Sequence, residues 1–173
     1  MIDFDLSFLR EASDLIDSKL RSLKIEAMRD EDPDTNGIFD KAEYITGFGL
    51  VACQTYITSR IARSQCRRKR ALDIGPRHAC GVSIVCLVDA LANFWKHNSE
   101  WNEAPSSQAQ ATIETISKLG LDHQAAYFAA NALAVLVRPS KPSVGRLLPF
   151  LKQWNELLLQ EPPNTSLERS REG

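Results

Sequence analysis

The feature that most constrains the fold is the stretch from Gly81 to Trp101, whose first part is apolar on nearly every side. A helix that is hydrophobic all round is buried among other helices. We therefore expect an all-α fold, a single-domain bundle of five or six helices around a central apolar helix over 77–96. A chain of 173 residues suits one such domain. We place it at 1–160 and expect a disordered tail at 161–173, where Pro and polar residues dominate.

Apolar residues recurring at threes and fours predict helices on both sides of the central one. Gly47 and Gly49 fall inside the second helix, which indicates close packing there rather than a break. Ser107 with Gln110 predicts a capping box, and Asp122 predicts another helix start. The flanking helices are expected at 4–29, 40–70, 108–119, 123–137 and 149–160.

One polar stripe interrupts the central helix. Asp89, Asn93 and His97 recur every four residues, so a helix stacks them on one face, with Lys96 and Glu100 beside its far end. Either neighbouring helices satisfy these groups or the stripe is a site. We expect His97 at the rim of the bundle, hydrogen-bonded to Asn93 or to a shared neighbour. Asp89 should lie deeper, paired with a cation or several donors.

The layout of long paired helices, a third helix ending in NFWKH (93–97) and a two-helix follow-on resembles the HEPN superfamily. These are small helical bundles, many of them metal-independent RNases of toxin–antitoxin and anti-phage systems. Their motif places an Arg, a polar residue and a His on a helix at a dimer interface. Asn93 matches the polar residue and His97 matches the His, whereas Ala92 stands where the family has its Arg.

The resemblance implies an RNA-binding homodimer with His97 and Asn93 as catalytic candidates, and the chemistry of RNA cleavage adds Lys96, or an Arg at the end of the second predicted helix, as the cation. RNA cleavage without metal needs a base for the 2′-hydroxyl, an acid for the leaving oxygen and a cation for the phosphate. His97 suits the acid or base role, and Lys96 suits the cation. The alternative is a non-catalytic module that binds a protein partner through aromatics around Trp95 and Trp101.

Charge is unevenly distributed along the chain. Residues 1–43 carry a net charge of −6 and residues 44–80 a net charge of +6, so the two segments could face each other. The basic residues cluster at the end of the second predicted helix, more densely than a helix dipole requires. A phosphate-binding tip is one interpretation and a solvated helix end is the other. The candidate nucleic-acid contacts are Arg60, Arg63, Arg67, Arg68, Lys69 and Arg70.

The segment DPDTNGIFDKAE (32–43) matches the calcium-loop pattern of an EF-hand, with Gly37 at the sharp turn. Calcium is thus the one cofactor that the sequence suggests. The alternative is an acidic turn in which Asp40 caps the next helix. The candidate ligands are Asp32, Asp34, Asn36, the Ile38 carbonyl, Asp40 and Glu43.

Several features point to a cytoplasmic protein without a membrane segment. The N-terminal residues form no secretory signal, and no run of 18 apolar residues occurs. Four cysteines without C-x-x-C pairing indicate reduced thiols. A zinc site is the alternative, although its spacing fits no standard signature; it would use His78, Cys80, Cys86 and His97.

Overall fold

The computed structural model describes residues 3–101, 106–139 and 141–162. Over these ranges the protein is an all-α bundle without strands, as predicted, although its α-helices number seven rather than five or six. One 3₁₀ helix, Asn98–Glu100, follows α4, and another, Val144–Leu147, precedes α7. The α-helices are α1 Phe4–Ala27, α2 Ile38–Ser64, α3 Arg68–Asp73, α4 Ile84–His97, α5 Ser107–Ser117, α6 Phe128–Leu136 and α7 Leu148–Leu158.

Helix α4 lies at the centre of the bundle, which confirms the prediction from its hydrophobicity. It contacts α2, α3, α5, α6 and α7, and its residues 84–92, apart from Cys86, are buried. Burial of a Leu, Ile or Val side chain contributes roughly 1.5–3 kcal/mol relative to exposure, so α4 supplies much of the core energy. Helices α1 and α2 pair along their lengths beside it.

The single helix predicted over 40–70 is in fact two helices. Gln65 adopts a left-handed conformation (φ 57°) that ends α2, and α3 begins at Arg68. The separation allows Ala71 to be fully buried against the core and to accept a 2.8 Å hydrogen bond from Trp154 Nε1. Arg68, at the start of α3, reaches Asp89 on α4.

The central helix begins seven residues later than predicted. Ser83 is its N-cap, because the Ser83 hydroxyl accepts a hydrogen bond from the Cys86 N–H and donates one to the Leu72 carbonyl. The residues before it form a loop in which Arg77 and Ser83 make an isolated bridge. Pro76 and Gly81 account for the loop, since Gly81 has a φ of +84°.

Two predicted helix starts were also wrong. Ser106 rather than Ser107 caps α5, through a 3.2 Å bond from the Ala109 N–H. Asp122 accepts from the Gln124 N–H in a turn, and α6 begins only at Phe128. An Asp side chain can accept a hydrogen bond from a nearby backbone N–H either in a turn or at a helix N-cap. The sequence around Asp122 therefore did not distinguish a turn from a helix start.

The last helix follows the prediction closely, with a proline in its first turn. Glu161, predicted to begin the tail, instead forms a bidentate pair with Arg70 at 2.9 Å for both bonds. The remainder of the predicted disordered tail, 163–173, lies outside the described residues.

Glycines in α2 allow the close packing that the sequence predicted. A Cβ on Gly47 would lie 2.0 Å from the Trp95 ring, and one on Gly49 would lie 2.4 Å from the Val144 side chain. Trp95 therefore lies directly across the backbone of α2. Among the helices of the described ranges, none is long and apolar enough to cross a membrane.

Candidate functional site

The deep end of the polar stripe on α4 is a closed hydrogen-bond network. The Asp89 carboxylate is buried, and its Oδ1 accepts from Arg68 Nη2 at 2.6 Å and from Gln54 Nε2 at 2.9 Å. A buried carboxylate needs such partners, because an unpaired charge in the interior is very costly. The predicted cation is therefore present, and it comes from α3.

Gln54 connects this carboxylate to the outer part of the stripe. A carboxylate only accepts hydrogen bonds, so the Gln54 amino group must face Asp89 and Asn93, whose Oδ1 lies at 2.8 Å. The amide oxygen of Gln54 then points outward and accepts from Lys96 Nζ at 2.7 Å. Asn93 and Asp89 thus position Lys96 through Gln54.

His97 lies at the rim of the bundle, as predicted. Its side chain is 45% exposed, its Nδ1 is 3.3 Å from Glu100 Oε2, and its ring stacks on Trp101 with centroids 6.2 Å apart. The expected bond to Asn93 is absent from the described structure, because Asn93 faces Gln54 on α2 instead. Of the three catalytic candidates, Asn93 and Lys96 share a partner and His97 stands apart.

An aromatic cluster flanks the same end of α4. Tyr44 and Phe48 of α2 pack edge-to-face on Trp95, with ring centroids 6.1 Å and 5.3 Å away. Tyr44 and Phe48 remain more than half exposed. The cluster packs two exposed rings of α2 against Trp95, the residue that precedes Lys96.

Trp101 also lines a cavity of about 730 Å³. Phe94 forms its floor and contacts the rings of Trp101, His123 and Phe128. His123 was not predicted as a site residue, because its segment was predicted to be part of a helix, whereas α6 begins only at Phe128. We call this space the α4–α6 cavity; its lining includes Glu43, Phe94, Asn98, Trp101, His123 and Tyr127.

Glu43, the predicted twelfth calcium ligand, caps α6 from outside that helix. Its two carboxylate oxygens accept from the backbone N–H groups of Ala129 at 2.7 Å and Ala130 at 2.9 Å. Tyr127, the residue before α6, is left-handed and provides no side-chain cap, so Glu43 supplies the missing acceptors. Burial raises the pKa of the Glu43 carboxyl, and the two backbone hydrogen bonds partly oppose that rise.

The other predicted calcium ligands satisfy local groups. Asp32 accepts from the Thr35 N–H, and hydrogen bonds with Thr35 lower the pKa of the Asp32 carboxyl. Asp34 accepts from the Tyr127 hydroxyl, while Asn36 donates to Asp30 at 2.8 Å. The loop is thus held by its own hydrogen bonds and by contact with the start of α6.

Ile38 and Asp40 already belong to α2, whose N-cap is the left-handed Gly37 (φ 68°). The helix therefore starts before Asp40, and the predicted Asp40 cap is wrong. Within the described ranges, no three or more His, Cys, Asp or Glu side chains lie close enough together to hold a metal ion. This covers the residues of the zinc alternative, His78, Cys80, Cys86 and His97. Calcium binding stays a prediction, checked by whether millimolar calcium raises the melting temperature.

The predicted basic tip is divided between α2 and α3 and is partly neutralised. Arg63 pairs with Asp5 at 2.6 Å, so the basic segment contacts the acidic segment at this pair. Arg68 and Arg70 pair with Asp89 and Glu161, and Arg60 donates to the neutral Asn155. The remaining candidates of the tip are Arg67, which also makes an interaction, and Lys69.

Comparison of the chain with protein-family models, with curated proteins and with solved structures gives no match. The C-terminal end of α4 brings together an exposed imidazole, an ammonium group, an aromatic cluster and a cavity. The four cysteines are free.

Proposed function

We propose that the protein is an HEPN-like, cytoplasmic RNA-binding protein that contacts RNA at the C-terminal end of α4. The observation that carries this proposal is the position of Lys96 beside the half-exposed His97. Lys96 donates to the neutral amide of Gln54, and across the described ranges no carboxylate pairs with it. Its charge is therefore available to a phosphate.

The neighbouring rings favour single-stranded RNA. Bases stack on aromatic side chains, and each stacked base contributes roughly 1–3 kcal/mol. Tyr44 and Phe48 offer exposed rings against Trp95, the residue before Lys96, and Trp101 offers a partly exposed ring that stacks on His97. An ammonium group in the same segment as stacking rings fits a backbone phosphate next to stacked bases.

His97 gives this surface a group able to transfer protons near neutral pH. Its Nδ1 faces Glu100, which leaves Nε2 directed away from that pair for a ribose hydroxyl or a leaving oxygen. Lys96 would stabilise the charge that develops on the phosphate. The homodimer implied by the resemblance would bring a second His97, so that one acts as base and the other as acid, as in toxin–antitoxin or anti-phage RNases.

The test is RNA binding and cleavage with a fluorescent single-stranded RNA in the presence of EDTA. We expect His97→Ala to reduce cleavage roughly 10²- to 10⁴-fold while binding persists. Lys96→Ala should weaken binding and flatten its salt dependence. The matched control is Lys152→Ala, an exposed lysine on α7. Binding without cleavage would leave an RNA-binding protein and exclude catalysis, and the absence of binding would overturn the proposal.

A second candidate, a non-catalytic protein-interaction module, is favoured by the apolar surface of α1. Phe4, Phe8 and Leu15 lie at helical spacing and are 68%, 69% and 74% exposed. Isolated exposed apolar residues are common, but an aligned set indicates an interface. Light scattering on Phe8→Ser/Leu15→Ser tests it: loss of an oligomer with RNA binding intact would assign this face to protein contact.

A further inference from the structure

We infer that the α4–α6 cavity binds a nucleobase that carries an amino group on its edge, with the base against Trp101 or His123 and the amino group toward Glu43. This inference rests on the proposed RNA binding for its setting, since it names the base-binding part of that surface. It depends on the cavity itself, however, and is testable with free nucleotides.

The volume and the floor of the cavity fit a flat aromatic ligand. About 730 Å³ lies within the range of roughly 300–1,000 Å³ that small-molecule sites occupy. Phe94 is buried and holds the Trp101 and His123 rings at centroid distances of 6.0 Å each, inclined by 66° and 87° to its plane. Both outer rings are only partly buried, so each keeps a surface for stacking.

The polar groups of the cavity recognise donors at the edge of a base. Each Glu43 oxygen accepts one backbone N–H, and a carboxylate has about four acceptor positions, so each oxygen keeps a further lone pair. Carboxylates accept from the amino group of cytosine in nucleic-acid complexes, and adenine has an equivalent group. Asn98 and Ser99 line the cavity beside Trp101 and add polar contacts for the sugar.

The location connects the cavity to the proposed RNA surface. His97 stacks on Trp101 with an interplanar angle of 19°, and Trp101 also lines the cavity. A base held in the cavity would therefore place its sugar and phosphate near the α4 end that carries His97 and Lys96. The arrangement selects one nucleotide beside the phosphate that those side chains contact.

The experiment is a fluorescence titration with AMP, CMP, UMP and ribose 5-phosphate. We expect AMP and CMP to quench tryptophan emission in the Trp95→Phe protein, which retains Trp101, and not in Trp101→Phe. UMP, which lacks the amino group, should bind at least 5-fold more weakly, and ribose 5-phosphate should not quench. His123→Ala should weaken AMP binding roughly 5- to 150-fold, as the loss of a stacking ring does.

The matched control is Leu159→Ala, which removes an exposed apolar side chain just after α7 and should leave AMP binding unchanged. Thermal melts establish that each variant is folded. Equal quenching by ribose 5-phosphate, or unchanged AMP binding in a folded His123→Ala protein, would overturn the assignment. RNA binding without quenching by mononucleotides would overturn nucleobase binding in the cavity and leave the proposed RNA binding. Quenching without RNA binding would overturn the proposed RNA binding and leave nucleobase binding in the cavity.

Discussion

The residues of the polar stripe on α4 recur every four positions, yet the two ends of the stripe lie in opposite environments. At the deep end, Asp89 is 9% exposed at its side chain and bonds to Arg68 and Gln54. At the outer end, His97 is 45% exposed, its Nδ1 faces Glu100, and its ring stacks on Trp101. Depth along the helix, rather than residue type, separates the two.

The contrast shows where the protein has polar groups left for a partner. The deep end is held by three elements, α2, α3 and α4, so its bonds stabilise the fold. Lys96 shares features of both ends. Its Nζ donates to Gln54 of the deep network, and its side chain is still exposed to solvent. We interpret the deep end as structural and the outer end as the candidate site.

Asp89→Ala tests the structural role of the deep end. The change removes the acceptor of Arg68 and leaves the buried Gln54 amide poorly paired, so we expect a loss of roughly 2–4 kcal/mol in unfolding free energy. Urea denaturation measures it. The control is Asp73→Ala, whose exposed pair with Arg77 should matter by at most about 1 kcal/mol. Equal small losses in both variants would contradict a structural role for the deep end.

Gly47→Ala tests the support of the outer end. In a helix interior this change ordinarily stabilises by up to about 1 kcal/mol. Here the new methyl would overlap the Trp95 ring, so we expect destabilisation by roughly 1–3 kcal/mol and displacement of Trp95. Thermal melting and the tryptophan emission maximum measure the two effects. A rise in melting temperature would show that Trp95 does not lie across α2.

Glu43 offers a comparison with Asp89, since it too is a carboxylate held by partners from another element. Burial raises its pKa above the ordinary 4.5, so the folded protein holds this proton more tightly than the unfolded chain. The stability from this group is therefore complete below pH 4.5 and is lost as pH rises through the folded pKa. As pH rises from 4 to 7, the melting temperature of Glu43→Gln should rise relative to that of the wild type.

A constant offset between the two melting curves across that pH range would contradict the raised pKa. The variant keeps one acceptor oxygen for the start of α6, so a loss of about 1 kcal/mol at low pH is expected. Glu156→Gln, an exposed acid on α7, is the control and should show no such pH-dependent difference.

The sequence predicted the parts of the fold that depend on periodicity. The all-α class, the buried α4 and the close packing at Gly47 and Gly49 follow from local patterns of apolar and small residues. The break at Gln65 was not predictable, because glutamine seldom adopts a left-handed conformation. It accompanies the burial of Ala71 against the core, a tertiary contact that no local pattern indicates.

The candidate site was predictable only in part. The spacing of Asp89 and His97 correctly indicated a buried and an exposed group on one face. The orientation of Asn93 toward Gln54, and the capping of α6 by Glu43, depend on residues 39 and 86 positions away. Local sequence pattern carries no information about such pairs.

The smallest expected change in stability comes from His97→Ala. Its partner Glu100 is 68% exposed, and an exposed pair of this kind contributes at most about 1 kcal/mol. We expect the unfolding free energy to change by less than about 0.5 kcal/mol, since the stack on Trp101 is also at the rim. The same variant should lose RNA cleavage. Stability lost to the extent seen with Asp89→Ala would place His97 in the structural network, while unchanged stability with lost activity would separate the two ends of α4 by function as well as by depth.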